Sequence, residues 1–169
     1  RITLPVALKS VTEAFFTGTP NRSLALNGSQ AARIEMGANT LPQGPFTVET
    51  WVRPATESSS GDLISKAEQS EFALNLASSV PGFHAHIGGK YESVIATAPI
   101  PKDQWTHLAG VYDGAQLLLY VNGQPVAARP ATGKRATNPL PLFLGANPDA
   151  KSKPTQFFTG GLDEVRLSS

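Results

Sequence analysis

His84 and His86 stand two residues apart in Phe83-His84-Ala85-His86-Ile87. On a strand that spacing sends both imidazoles to one face and Phe83, Ala85 and Ile87 to the other. Two such rings could hold a metal ion or form the polar wall of a ligand groove. The plainer reading is a partly covered sheet face, because no third ligand stands nearby in sequence. His107 lies inside an apolar run and reads as a packed, hydrogen-bonded histidine. Paired carboxylates are the other chemistry to look for, since hydrolysis of a glycosidic bond needs two flanking it. Asp163 and Glu164 are adjacent, so strand alternation points them to opposite faces. Glu49 has Thr47, Trp51 and Arg53 as same-face neighbours, and no strand offers the pair. No nucleophile elbow and no phosphate-cradling glycine loop is present. Gly88-Gly89 and Gly160-Gly161 read as strand ends. Tyr91, between Lys90 and Glu92 in a turn-rich stretch, is the aromatic best placed to touch a ligand.

These side chains must be held by strands. The chain has 169 residues, one domain's worth, with Gly 15 and Pro 14, a turn-rich content that favours short strands over long helices. Hydrophobic residues make up 40%, enough for a core. The net charge of +1 leaves no electrostatic footprint for nucleic acid. Cys 0 removes disulfides and thiolate chemistry without fixing a compartment. No apolar run approaches the roughly 20 residues of a membrane span, so no membrane insertion is expected.

The clearest strand is 46–53, with Phe46, Val48, Thr50 and Val52 on one face and Thr47, Glu49, Trp51 and Arg53 on the other. Alternation over 71–76 and 83–87 predicts a hairpin. Asp113-Gly114 and Asn122-Gly123 are turn signals that join three strands between 104 and 128 into a meander. Further strands are predicted at 24–28, 62–66, 91–97 and 140–144, then at 156–159 and 162–167 on either side of Gly160-Gly161. Residues 12–16 could form one helical turn. About a dozen strands at this spacing predict an all-β, antiparallel two-sheet jelly-roll sandwich. Residues 1–22 read as an N-terminal extension, either a linker or an edge strand, and 23–169 as the domain. The chain begins at Arg1, which suggests a processed terminus or a module of a longer protein.

Six segments in order carry a resemblance. Phe46 to Pro54 (FTVETWVRP), Asp62 to Lys66 (DLISK), Trp105 to Gly114 (WTHLAGVYDG), Leu117 to Gly123 (LLLYVNG), Leu144 to Asn147 (LGAN) and Gly161 to Leu167 (GLDEVRL) resemble the strand motifs of laminin-G-like domains. That family belongs to the concanavalin A-like lectin/glucanase superfamily. The resemblance spans residues 23 to 168 and implies the two-sheet jelly roll. It places Trp51 and Trp105 in structural motifs, so core packing is expected of both. Hydrolases of this fold carry a Glu-x-Asp-x-x-Glu strand, which is absent here, so no enzyme activity is expected. The resemblance also implies one structural calcium ion, with Asp163 on the closing strand as ligand. The opening turn, acidic in the family, is here Asn27-Gly28-Ser29-Gln30-Ala31-Ala32, which leaves Asn27 as the partner oxygen. Family members are accessory modules of secreted or surface proteins, many of them bacterial.

The function expected from all this is non-catalytic carbohydrate binding, with a polysaccharide or glycan as partner and Tyr91, His84 and His86 as contacts. The alternative is a structural or protein-interaction module without a sugar site. A secreted, cell-surface or periplasmic location is expected.

Overall fold

The computed structural model describes residues 15–17, 23–37, 41–68 and 70–169. These contain strands and no helix. In chain order the strands are β1 (Phe15–Thr17), β2 (Ser23–Asn27), β3 (Ala32–Ile34), β4 (Phe46–Pro54), β5 (Gly61–Ser65), β6 (Phe72–Ala77), β7 (Val80–Ile87) and β8 (Lys90–Ile95). They continue as β9 (Thr106–Tyr112), β10 (Gln116–Val121), β11 (Gln124–Pro130), β12 (Leu142–Leu144), β13 (Asn147–Pro148), β14 (Pro154–Thr155) and β15 (Thr159–Ser168). A seven-stranded sheet has the order β1-β2-β15-β4-β9-β10-β11, and a six-stranded sheet the order β3-β12-β5-β6-β7-β8. All pairings are antiparallel.

Strand alternation makes the two sheets stack. Phe46, Val48 and Val52 of β4 are buried, and so are Leu108 of β9 and Leu117 and Leu119 of β10. They meet Leu63 and Ile64 of β5, Phe72, Leu74 and Leu76 of β6, and Phe83 and Ala85 of β7. Phe46 bridges the layers, with its ring centroid 5.4 Å from Phe72 and 6.1 Å from both Phe83 and Tyr112. Gly110 of β9 faces Phe83 so closely that a Cβ there would clash with the ring. Gly110→Ala is therefore expected to destabilise by about 1–3 kcal/mol through overpacking, seen as a lower urea midpoint with an unchanged slope.

The predicted faces of β4, the β6–β7 hairpin and the β9–β10–β11 meander are all observed. Two local readings change. Phe15 and Phe16 lie in an extended edge strand paired to β2 rather than a helical turn; residues 12–14 lie outside the described set. Gly160-Gly161 do not separate two strands, because β15 runs through them. A side chain at Gly160 would strike the Arg53 carbonyl and the Phe158 ring, and one at Gly161 would meet Trp105 at 2.8 Å. The glycines are there for close approach, not for a turn.

One buried cluster fixes the end of the β6–β7 hairpin. Lys66 donates to Glu71 Oε1 at 3.2 Å and to the Asn138 carbonyl at 2.6 Å, while Arg135 bonds the other Glu71 oxygen. Arg135 also donates to the Leu41 carbonyl at 3.0 Å and lies over the Phe46 ring. Glu71 accepts the His86 N–H on its carbonyl at 2.9 Å, and the His86 carbonyl accepts from Ala136 N–H at 2.9 Å. The charges thereby set the backbone that carries His86.

Candidate functional site

The outer face of the six-stranded sheet gathers His84, His86 and Tyr91. On β7 the inward residues Phe83, Ala85 and Ile87 are buried in the core, which leaves His84 and His86 facing out as the spacing predicts. Cross-strand register puts Tyr91 opposite His86, and Ser93 opposite His84. The Tyr91 ring stacks on His84 with centroids 6.0 Å apart and planes 20° apart, and meets His86 edge-on at 6.3 Å. Tyr91 remains 47% exposed.

Neighbouring strands complete this face with residues that sequence reasoning did not single out. Asn75 of β6 lies opposite Gly82 of β7 and opposite Asp62 of β5. His84 Nε2 is 3.1 Å from Asn75 Oδ1, and Nδ1 is 2.7 Å from Ser93 Oγ. The Asn75 oxygen accepts, so Nε2 carries the proton and Nδ1 accepts from the serine. Burial holds the His84 pKa below the ordinary histidine value, which favours this neutral ring. Gly82 is required here: a Cβ would lie 2.6 Å from Asn75 Oδ1 and 3.1 Å from His84 Nε2.

Beside Asn75 a cleft of about 350 Å³ is lined by Ser60, Asp62, Asn75, Ala77, Gln156 and Phe157, among others. A register shift between Asp62 and Ile64 turns Asp62 outward while Leu63 and Ile64 both enter the core. Desolvation pushes the Asp62 carboxyl up to about 6, against a smaller lowering by the Ser65 hydroxyl. Burial, then the charges of Asp62 and Glu68, push Tyr91 up to about 12. Both charges thus oppose ionisation of the Tyr91 hydroxyl. Chemically the face offers an aromatic platform, hydrogen-bonding groups of both kinds, and one buried acid.

Trp51 and Trp105 are not core residues. They are 40% and 38% exposed: Trp51 points outward because β4 gives its inward positions to Phe46, Val48, Thr50 and Val52, and Trp105, just before β9, lies against Arg53 and Gly161. Arg53 lies 5.4 Å over the Trp105 ring. His107 is 3.3 Å from Glu49 and 5.5 Å from the Trp51 ring, so it is held in place as expected, and Glu49 also pairs with Arg166 at 3.1 Å.

The two residues expected to ligate calcium do not meet. Asn27 lies opposite Thr159 on β15, whereas Asp163 lies four residues further along, opposite Trp51. At about 3.3 Å per residue that is roughly 13 Å along the strand. Asn27 Oδ1 already accepts from the Ser29 N–H at 3.0 Å and its hydroxyl at 2.9 Å, and Asp163 Oδ1 from the Glu164 N–H at 2.8 Å. This pair does not fit a calcium ion. Among the described residues no group of three or more His, Cys, Asp or Glu side chains is arranged to hold a metal.

Two antiparallel sheets stacked on one core, with a cleft on an outer face, define a jelly-roll β-sandwich. The family model Laminin_G_3, of the concanavalin A-like lectin/glucanases superfamily, matches residues 26–169, and the chain belongs to that family. Among solved structures it is similar to the binding domain of Paraclostridial Mosquitocidal Protein 1, with a TM-score of 0.76 and 14% identity over 96% of this chain and 44% of that one. It is also similar to the native heptameric SAP-like pentraxin from Limulus polyphemus, with a TM-score of 0.63 and 15% identity over 85% of this chain and 73% of that one. Domains LG4-5 of the mouse laminin alpha1 chain match with a TM-score of 0.62 and 18% identity, over 91% of this chain and 40% of that one. At these identities the likeness is one of fold, and the chain spans less than half of the mosquitocidal binding-domain structure. Comparison with curated protein sequences gives no match.

Proposed function

We propose that this domain is a non-catalytic carbohydrate-binding module, an accessory unit of a secreted or surface multidomain protein of bacterial type. The observation that carries the reading is the Tyr91–His84 stack beside the cleft that Asp62 and Asn75 line. An exposed aromatic ring flanked by fixed polar groups is the arrangement that holds the apolar face and the hydroxyls of a sugar. Support of a more general kind comes from the lectin membership of the superfamily and from the binding domain of similar fold. Recognition here breaks no bond, and the bound sugar leaves as it came.

A glycan array with the isolated domain tests this. Selective binding is expected, and Tyr91→Ala should weaken it about tenfold, the scale of one lost stacking contact. The variant should keep its melting temperature, because Tyr91 is half exposed. Absence of any glycan ligand, or full retention by Tyr91→Ala, would overturn the reading.

A second reading rests on the exposed tryptophans. Trp51 and Trp105 are both exposed large aromatics, a residue type that suits a protein-binding surface. A protein partner held there should be lost from pull-down with Trp51→Ala and retained with Tyr91→Ala.

A further inference from the structure

Asp62 is 5% exposed and lines the cleft, yet among the described residues no cation lies within ion-pair distance of it. None of the cleft-lining residues is Lys, Arg or His. Lys66, the nearest lysine in sequence, is committed to Glu71 and Asn138. Titratable groups elsewhere on this outer face include His84 of β7, bonded to Asn75, and Tyr91 of β8, on which both Asp62 and Glu68 of the β5–β6 connection act. Glu68 adds negative charge, and His84 is held neutral by burial. The Asp62 backbone N–H donates to the Gln156 carbonyl at 3.1 Å, which ties β5 to a segment that also lines the cleft.

A carboxylate kept in a desolvated cleft without a counter-cation is unfavourable unless something supplies the charge. The cleft wall adds Asn75, Gln156 and Phe157, which offer neutral polar and aromatic contacts and no positive charge. We propose that the cleft takes a glycan carrying a free ammonium, a de-N-acetylated hexosamine chain, with Asp62 as its counter-ion. The inference rests on the glycan-binding reading and narrows it to a ligand class. Burial holds Asp62 near a pKa of about 6, so the carboxylate is ionised at pH 7 and is neutralised in mild acid.

Titration calorimetry with the whole domain separates the alternatives. The probes are hexamers of glucosamine, of N-acetylglucosamine and of glucose, a polygalacturonate oligomer, and a lysine hexamer. The glucosamine hexamer is expected to bind at least tenfold more tightly than any other. That preference should vanish in Asp62→Asn, and it should fall severalfold from pH 7 to pH 5 although the ligand is more fully protonated there. A thermal melt at each pH confirms that the variant is folded. Equal or tighter binding of the neutral or acidic oligomers overturns the ammonium assignment and leaves the glycan reading standing. Equal binding of the lysine hexamer shows mere attraction of cations, and also overturns it. Failure of every oligosaccharide, with array binding absent as well, removes the glycan reading itself.

Discussion

Glu71→Gln is expected to lower the stability of the domain by about 3–5 kcal/mol, the cost of breaking a buried ion pair on one side. Glu71 is the only anion among Lys66, Glu71 and Arg135, and all three side chains are nearly inaccessible to water. Removing its charge leaves two cations facing each other in a desolvated pocket. Lys66 already shows the strain: burial lowers its pKa, the Glu71 charge opposes that lowering, and Arg135 adds to it. Without Glu71 the remaining relief is loss of the lysine proton. A second variant tests that cause. Lys66→Met in the Glu71→Gln background should recover a substantial part of the loss, since one cation then disappears with little change in shape. Urea unfolding of the two variants measures both effects. A loss under 1 kcal/mol for Glu71→Gln would show that the cluster is not electrostatically coupled. The same change should loosen His86, whose backbone is bonded to the Glu71 carbonyl and to Ala136, and so weaken ligand binding even where the domain stays folded.

Asp62→Asn is expected to stabilise the domain at neutral pH, by up to about 3 kcal/mol. The Asp62 carboxyl moves from 3.8 to about 6 on folding, and each unit corresponds to about 1.4 kcal/mol. The folded state therefore holds this proton more tightly than the unfolded chain does. The resulting stability is fully present below pH 3.8 and is lost as the pH rises through about 6. Wild type and Asp62→Asn should thus differ most above pH 7 and converge near pH 4. His84 acts in the opposite sense: its lowered pKa gives stability that is present above the ordinary histidine value and is lost as the pH falls below it. Both proteins share that contribution, so the difference between their pH profiles isolates Asp62. Parallel profiles would contradict the assignment. A buried acid that makes the fold less stable at the pH where it is ionised is the kind of local conflict that marks a binding site.

The two-sheet architecture was legible because one face of most strands is buried, and period-2 patterning then writes the fold into the sequence. Phe46 to Val52 shows this residue by residue. The outward placement of His84 and His86 was legible for the same reason, whereas the position of Tyr91 opposite His86 was not, since it depends on the β7–β8 pairing across Gly88-Gly89. Asp62 and Asn75 were harder. Asn75 is the polar interruption in Phe72-Ala73-Leu74-Asn75-Leu76, a signal that was available. Asp62 depends on a register shift within β5 that no local pattern announces. The tryptophans were misread because membership of a structural motif was taken to mean burial, although the alternation of β4 already assigned Trp51 to the outer face. Asn27 and Asp163 failed as a pair because closeness to a metal depends on register between β2 and β15, and that register sets them four residues apart. The Lys66–Glu71–Arg135 cluster joins residues 64 positions apart in sequence, and only the folded loop reveals it.

Amide chemical-shift mapping of the labelled domain, titrated with whichever oligosaccharide the array selects, tests the account most directly. The prediction is a single contiguous set of shifts at Asp62, Asn75, His84, His86, Tyr91 and Ser93, with the oligosaccharide recovered intact. Shifts centred on Trp51, Trp105 and His107 across the opposite sheet, or a cleaved oligosaccharide, would contradict it.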